Sequence, residues 1–118
     1  MNRYLAVLLV LALPQMAAAE SVSFGAKLDN DGGHAGGSAS GNGLITGRIS
    51  WAGNGITVES GFISGPNVWL IGTVTRSNDP TLFGQEVTVY ANPALNFVIL
   101  SVPGLSQTYQ GYGHVTVR

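Results

Sequence analysis

The residues best suited to chemistry lie in a glycine-rich stretch, residues 29–43, which reads DNDGGHAGGSASGNG. Asp29 and Asp31 offer carboxylate oxygens there, and His34 offers an imidazole nitrogen. Calcium takes several oxygen ligands from one loop, and an Asp-X-Asp-Gly sequence is a common start of such a loop. Asp29 and Asp31 are therefore candidate metal ligands, with calcium as the metal.

The rest of this stretch departs from known metal loops. An EF-hand loop needs glycine at its sixth position and glutamate at its twelfth, whereas His34 and Ser40 stand there when counting starts at Asp29. Zinc would need further nitrogen or sulfur ligands, and His114 is the only other histidine. Because Asp, Asn and Gly favour turns, the alternative is a flexible polar loop between two strands.

Catalytic motifs are scarce in this chain. His114 is a candidate general base, but no motif ties a serine or an acid to it. A nucleophile elbow requires Gly-X-Ser-X-Gly, and residues 61–65 (GFISG) have a different spacing. Glu59 with Glu86 or Asp79 is a conceivable carboxylate pair for glycoside hydrolysis, yet solvated acids are ordinary at such positions. We therefore expect a protein that is not an enzyme, with a small hydrolase around His114 as the catalytic alternative.

Aromatic side chains on uncharged strands form a second candidate site. Residues 67–76 (NVWLIGTVTR) are apolar on both faces in their first half, and residues 96–102 (NFVILSV) are almost continuously apolar. Such strands are buried on both sides or belong to an interface. The alternative is that Trp51 and Trp69 are ordinary core residues. The candidate interaction residues are Trp69 and Ile71, with Tyr112 and His114 from the polar face of the last strand.

Strands must position these residues, because no window after Glu20 has apolar residues at helical spacing. Short alternating runs rich in Val, Ile, Thr and aromatics recur instead, separated by Gly, Asn, Asp and Pro. About seven short antiparallel strands predict an all-β domain, either an immunoglobulin-like β-sandwich or a small barrel. The predicted strands are residues 21–28, 44–52, 56–64, 67–76, 85–91, 95–102 and 107–117.

One hairpin register follows from local sequence. Asn54-Gly55 predicts a two-residue type I′ turn, because both central residues of that turn need positive φ. Counting outward from this turn places Trp51 opposite Val58 and Gly47 opposite Phe62. In that register the Phe62 ring covers a bare glycine, which is a known means of stabilising a sheet.

Residues 1–19 have the three parts of a secretory signal peptide. Residues 1–4 carry one cation, residues 5–13 are apolar, and residues 17–19 are alanines suited to cleavage. A membrane-spanning helix needs about 20 apolar residues, so we expect a cleaved signal helix and no span in the mature chain. Residues 20–118 then form a single all-β domain, exported to the periplasm or exterior of a bacterial cell.

The amino-acid composition makes some classes of binding partner less expected than others. The net charge of −1 provides no basic patch, so nucleic acid is not expected as a partner. The chain contains no cysteine, and an exported domain without disulfides is held together by packing alone. This composition suits a bacterial periplasmic or secreted protein better than a disulfide-stapled scaffold.

The sequence therefore predicts an exported, non-catalytic protein that acts by protein–protein binding or self-association. We expect an accessory or assembly component of the bacterial envelope or exterior, working by edge-strand pairing or by burial of an apolar sheet face. The alternative is a small-ligand module for calcium or carbohydrate. That module would use Asp29 and Asp31, or the aromatic residues Trp69 and Tyr112.

Overall fold

The computed structural model describes residues 20–118, and the predicted signal peptide at residues 1–19 lies outside this part of the chain. Eight antiparallel strands follow one another in sequence order and close into a barrel, because β1 also pairs with β8. A short 3-10 helix, Pro103–Leu105, joins the last two strands. The strands are β1 Glu20–Leu28, β2 Gly33–Gly41, β3 Thr46–Trp51, β4 Asn54–Ser64, β5 Asn67–Arg76, β6 Glu86–Asn92, β7 Phe97–Val102 and β8 Gln107–Val117.

The all-β prediction is confirmed, and the closed barrel is one of the two architectures that the sequence left open. Each strand has a hydrogen-bonded neighbour on both sides. Edge-strand pairing, one of the two expected binding mechanisms, therefore has no free strand to use within residues 20–118. In the same residues, no helix has the length and hydrophobicity that a membrane crossing requires.

Alternate residues of the strands fill the inside of the barrel with a hydrophobic core. Apart from Gly72, the inward positions on β5 and β7 are aliphatic and almost fully buried. They are Val68, Leu70, Val74, Val98, Leu100 and Val102. Larger side chains such as Phe24 and Trp51 are also buried in this core. The core therefore needs no further apolar residue from the outer surface.

The glycine-rich stretch contains β2, the strand that the sequence analysis missed. Every residue of β2 has a register partner on β1, and residues 35–40 also pair with β3. The interpretation of residues 29–43 as one flexible loop is therefore wrong. Only Asp29–Gly32 and residues 42–45 lie between the strands.

Small inward residues explain why this strand was missed. The inward side chains of β2 come from Ala35 and Ala39, with Gly37 between them. Gly37 lies opposite Phe24 on β1 and Ile49 on β3, both buried in the core. A Cβ atom at Gly37 would lie only 2.7 Å from the Ile49 Cα. A glycine is required at this position because the backbone of β3 approaches Gly37 too closely for a side chain.

The hairpin turn between β3 and β4 lies two residues before the predicted one. Ala52 and Gly53 are its central residues, with φ of 49° and 84°, and Trp51 lies opposite Asn54. Asn54 is instead a buried strand residue, because its Nδ2 donates to the Trp51 carbonyl at 3.0 Å and its Oδ1 accepts from Ser77 Oγ at 2.6 Å. A shift of two residues keeps each side chain on its predicted face, so Trp51 still points inward.

The predicted contact of Phe62 with Gly47 is also wrong. A β-bulge between Val58 and Ser60 inserts one extra residue into β4. Beyond the bulge the alternation of β4 is reversed, so Phe62 points to the outside of the barrel, where it is 58% exposed. Its partner across the ladder is Trp69 of β5.

Candidate functional site

Outward-facing residues of β4 to β8 form an apolar surface that we call the aromatic wall. Its central row runs across four strands, since Phe62 pairs with Trp69, Trp69 with Tyr90, and Tyr90 with Ile99. Further apolar side chains flank this row on β5, β7 and β8. The aromatic wall comprises Phe62, Trp69, Ile71, Tyr90, Phe97, Ile99 and Tyr112.

The rings of the aromatic wall contact one another in pairs. The centroids of Phe62 and Trp69 lie 4.7 Å apart with an interplanar angle of 27°. Trp69 and Tyr90 are 5.5 Å apart at 55°. Phe97 and Tyr112 are 5.1 Å apart at 49°. Such pairs each contribute about 0.5–1.5 kcal/mol beyond area burial, so the wall is held in place before any partner binds.

Hydrogen bonds fix Tyr90 from its polar end. The Tyr90 hydroxyl donates to Asn67 Oδ1 and accepts from Asn92 Nδ2 at 3.2 Å. Asn92 is itself positioned by the following turn, because its Oδ1 accepts from the Ala94 and Leu95 backbone N–H groups at 2.9 and 3.1 Å. The ring in the middle of the aromatic wall thus has little freedom to rotate away.

Three members of the aromatic wall are exposed, and the other four are half-buried. Phe62, Ile71 and Tyr112 are 58%, 38% and 72% exposed. Its central row contains no residue that is charged at neutral pH, and neither does the parallel row Ser60, Ile71, Thr88 and Ser101. Charge begins at the rim, where Glu59 accepts a hydrogen bond from Thr73 Oγ1 at 3.1 Å and Lys27 lies opposite Tyr112. Contiguous apolar surfaces of this kind mark interaction sites.

The opposite side of the barrel has a different chemistry. Outward positions of β1 to β3 are occupied by small polar residues, glycine and a few charged or imidazole side chains. They are Ser21, Ser23, Gly25, Lys27, His34, Gly36, Ser38, Ser40, Thr46, Arg48 and Ser50. Among the described strands, outward-facing aromatic and aliphatic side chains are therefore confined to β4 to β8.

Three of the four predicted interaction residues lie on the aromatic wall. Trp69 and Ile71 are in its centre and Tyr112 is at its edge, while Trp51 belongs to the core. His114 is exposed farther along β8, opposite Gly25. Its ring lies over that glycine, since a Cβ at Gly25 would come 2.8 Å from His114 Cε1. His114 thus lies two residues beyond Tyr112 on the same outward face of β8, whereas Trp69 and Ile71 lie on β5.

Sequence reasoning missed the other members of the aromatic wall. Phe62 was assigned to the inner face because nothing in the sequence announces the β-bulge before it. Tyr90, Phe97 and Ile99 occupy outward positions of strands that were predicted correctly. These three residues alternate with the buried residues of β6 and β7, and this alternation is the signal that could have identified them as outward-facing.

The two candidate metal ligands lie at either end of the tight turn after β1. The Asp29 Oδ1 accepts the backbone N–H of Gln110 at 3.0 Å, and its carbonyl accepts the Gly32 N–H at 2.8 Å. Asp31 has a positive φ of 63° and borders a cavity at the end of the barrel. Within residues 20–118, no group of three or more His, Cys, Asp or Glu side chains is placed to hold a metal ion. Calcium binding by Asp29 and Asp31 stays a prediction.

No family model matches the chain, and neither a curated protein nor a solved structure matches it. The geometry of the aromatic wall therefore carries the functional argument.

Proposed function

We propose that the protein is an exported, non-catalytic binding protein of the bacterial envelope or exterior. It acts by burying the aromatic wall against an apolar surface of another protein molecule. The observation that carries this proposal is the central row of Phe62, Trp69, Tyr90 and Ile99 on the outside of a barrel whose core is complete without it.

The energetics of the aromatic wall favour binding over solvent exposure. Full burial of a large apolar side chain is favourable by about 1.5–3 kcal/mol. Trp and Tyr are also enriched among the residues that dominate interface energies, because they bury much area with few rotatable bonds. The paired rings lose little conformational freedom on binding, since their neighbours already restrict them.

A second copy of the chain is the partner that this surface fits best. Neither the central row of the aromatic wall nor the parallel row beside it contains a charged residue, so two copies placed face to face bring no like charges together there. A two-fold contact sets the same patch against itself, and it therefore needs an uncharged or self-complementary surface. Self-association by sheet-face burial satisfies that requirement.

Sedimentation velocity of residues 20–118 tests self-association, with Phe62→Ser as the disrupting variant. Phe83 provides a matched control, because it is 59% exposed but lies in the turn between β5 and β6, away from the aromatic wall. At about 100 µM protein we expect a dimer that Phe62→Ser weakens roughly tenfold, a loss of about 1.4 kcal/mol. Phe83→Ser should leave the dimer intact. A wild-type monomer, or equal weakening in both variants, would contradict self-association through this surface.

A further inference from the structure

A cavity of about 550 Å³ opens at one end of the barrel. The turns after β1 and β3, the loop after β5 and the segment before β8 meet at this end. The cavity is separate from the aromatic wall, and its volume lies within the range of roughly 300–1,000 Å³ that small-molecule sites occupy. Barrel mouths are also a common location for such sites. We call this cavity the barrel-mouth pocket.

The floor of the barrel-mouth pocket is aromatic. The rings of Trp51 and Tyr109 lie 5.9 Å apart at an angle of 48°. Trp51 is fixed because its Nε1 donates to the Gly32 carbonyl at 2.8 Å. Leu82 and Leu105 add apolar surface beside the rings. A ligand with one apolar face would find a rigid surface to pack against.

The rim of the pocket provides both acceptors and donors of hydrogen bonds. Asp31 and Asp79 offer carboxylate oxygens, and the amides of Asn78 and Gln107 offer N–H groups. The Gln107 Oε1 accepts the Tyr109 hydroxyl at 3.4 Å, which leaves its amide nitrogen free to donate to a ligand.

Two of the polar side chains are held in position by neighbours. The Asp79 Oδ1 accepts from Thr81 N at 2.9 Å and from Thr81 Oγ1 at 2.7 Å. Asn54 is fixed by its bonds to Trp51 and Ser77. Polar groups that are ordered before the ligand arrives bind it at a lower entropic cost.

We infer that the barrel-mouth pocket binds a neutral saccharide of one or two sugar rings. None of the described residues that line it is Lys, Arg or His, and two are carboxylates, so an anion is disfavoured. A cation would use the carboxylates but leave the amide donors of Asn78 and Gln107 without acceptors. A sugar ring matches the rest of the lining, since its C–H face packs on Tyr109 with Leu82 and Leu105 while its hydroxyls donate to and accept from the rim.

The two tryptophans report on the two surfaces separately, because Trp51 borders the barrel-mouth pocket and Trp69 lies on the aromatic wall. Glucose, galactose, mannose, N-acetylglucosamine and maltose are each added to ¹⁵N-labelled residues 20–118 at about 10 mM, enough to detect millimolar binding. We expect at least one sugar to shift the indole N–H signal of Trp51 saturably while the Trp69 signal stays in place.

Gln107→Leu is the disrupting variant, and Gln110→Leu is its matched control, since Gln110 lies on the same strand but outside the pocket. Loss of one hydrogen bond should weaken sugar binding by about five- to tenfold in Gln107→Leu and leave it unchanged in Gln110→Leu. The inference is overturned if no sugar moves the Trp51 signal or if both variants bind alike. It is also overturned if only calcium chloride or spermidine shifts that signal, or if the sugars shift Trp69 instead.

Discussion

Phe62 and Trp69 lie face to face on neighbouring strands, with ring centroids 4.7 Å apart, on the outside of the barrel. They share this side only because the bulge between Val58 and Ser60 reverses the alternation of β4. In an unbroken ladder Phe62 would have pointed inward with Ile56 and Val58. The bulge thus moves an aromatic residue from the core to the aromatic wall, where its role in binding can be tested.

The two tryptophans should differ strongly in their contribution to stability. Trp51→Ala removes a buried core ring and should lower the free energy of unfolding by about 3–5 kcal/mol. Trp69→Ala removes a half-buried outer ring and should cost about 1–3 kcal/mol through the loss of its two ring pairs. Urea denaturation of both variants measures the difference. Equal losses would show that Trp69 belongs to the packed structure in the same way as Trp51.

Because β2 approaches β3 closely at Gly37, we expect a side chain at this position to lower the stability of the barrel. Gly37→Ala places a methyl group against the backbone of Ile49 and should destabilise the barrel by about 1–3 kcal/mol. Ser38→Ala, one residue along on the outer face, is the matched control and should change stability by less than about 0.5 kcal/mol. Thermal and urea unfolding report both values. A neutral Gly37→Ala would mean that the glycine-rich stretch is not a barrel strand.

Ala52 occupies a turn position that favours glycine. Its φ of 49° lies in the left-handed region, where a Cβ atom costs about 1–2 kcal/mol. Ala52→Gly should therefore raise the free energy of unfolding by up to about 1 kcal/mol, once the greater freedom of glycine in the unfolded chain is subtracted. Ala39→Gly, at an inward β-strand position, should have the opposite sign. A loss of stability in Ala52→Gly would contradict this turn geometry.

Asp79, in the loop after β5, should make a pH-dependent contribution to the free energy of unfolding. Hydrogen bonds from the Thr81 hydroxyl and then from the Thr81 backbone N–H hold the pKa of Asp79 below its ordinary value. A carboxyl group with a lowered pKa in the folded state contributes stability above its ordinary pKa and loses it as the pH falls through the folded pKa. The stability difference between wild type and Asp79→Ala should thus be present at neutral pH and vanish in strong acid.

The variant Thr81→Val tests whether the Thr81 hydroxyl lowers the pKa of Asp79. The variant removes the hydroxyl donor and keeps the backbone N–H, so the pKa of Asp79 should rise towards its ordinary value. Carboxyl NMR titration measures that pKa directly. An unchanged pKa in Thr81→Val, or a stability difference in Asp79→Ala that is independent of pH, would contradict the assignment.

The sequence predicts those parts of the fold in which large apolar residues alternate. Residues 67–76 and 107–117 were placed correctly because Val and Leu mark one face of β5, and Tyr and Val mark one face of β8. Tyr112 was likewise assigned to the outside from alternation alone. By contrast, β2 has only Ala and Gly inside, and the backbone of β3 comes too close to Gly37 for a larger residue. Such a strand has no hydrophobic signal of its own.

The candidate site was only partly predictable for a related reason. Trp69 and Ile71 stand out because they lie two residues apart in an apolar run. The outward position of Phe62 depends on a bulge that the sequence does not reveal. The turn at Ala52-Gly53 depends on an alanine with positive φ, whereas Asn54-Gly55 is the pair that such a turn usually prefers. Local turn preference was overridden there by the burial of Asn54 and its bonds to Trp51 and Ser77.

The central claim, that the aromatic wall contacts another protein, is tested most directly by site-specific photo-crosslinking in the producing cell. Benzoyl-phenylalanine replaces Ile71 on the aromatic wall in one experiment and Phe83 outside it in the other. We predict a discrete protein adduct from position 71, at the mass of a dimer if the partner is a second copy, and none from position 83. No adduct from position 71, or the same adducts from both positions, would contradict a binding role for this surface.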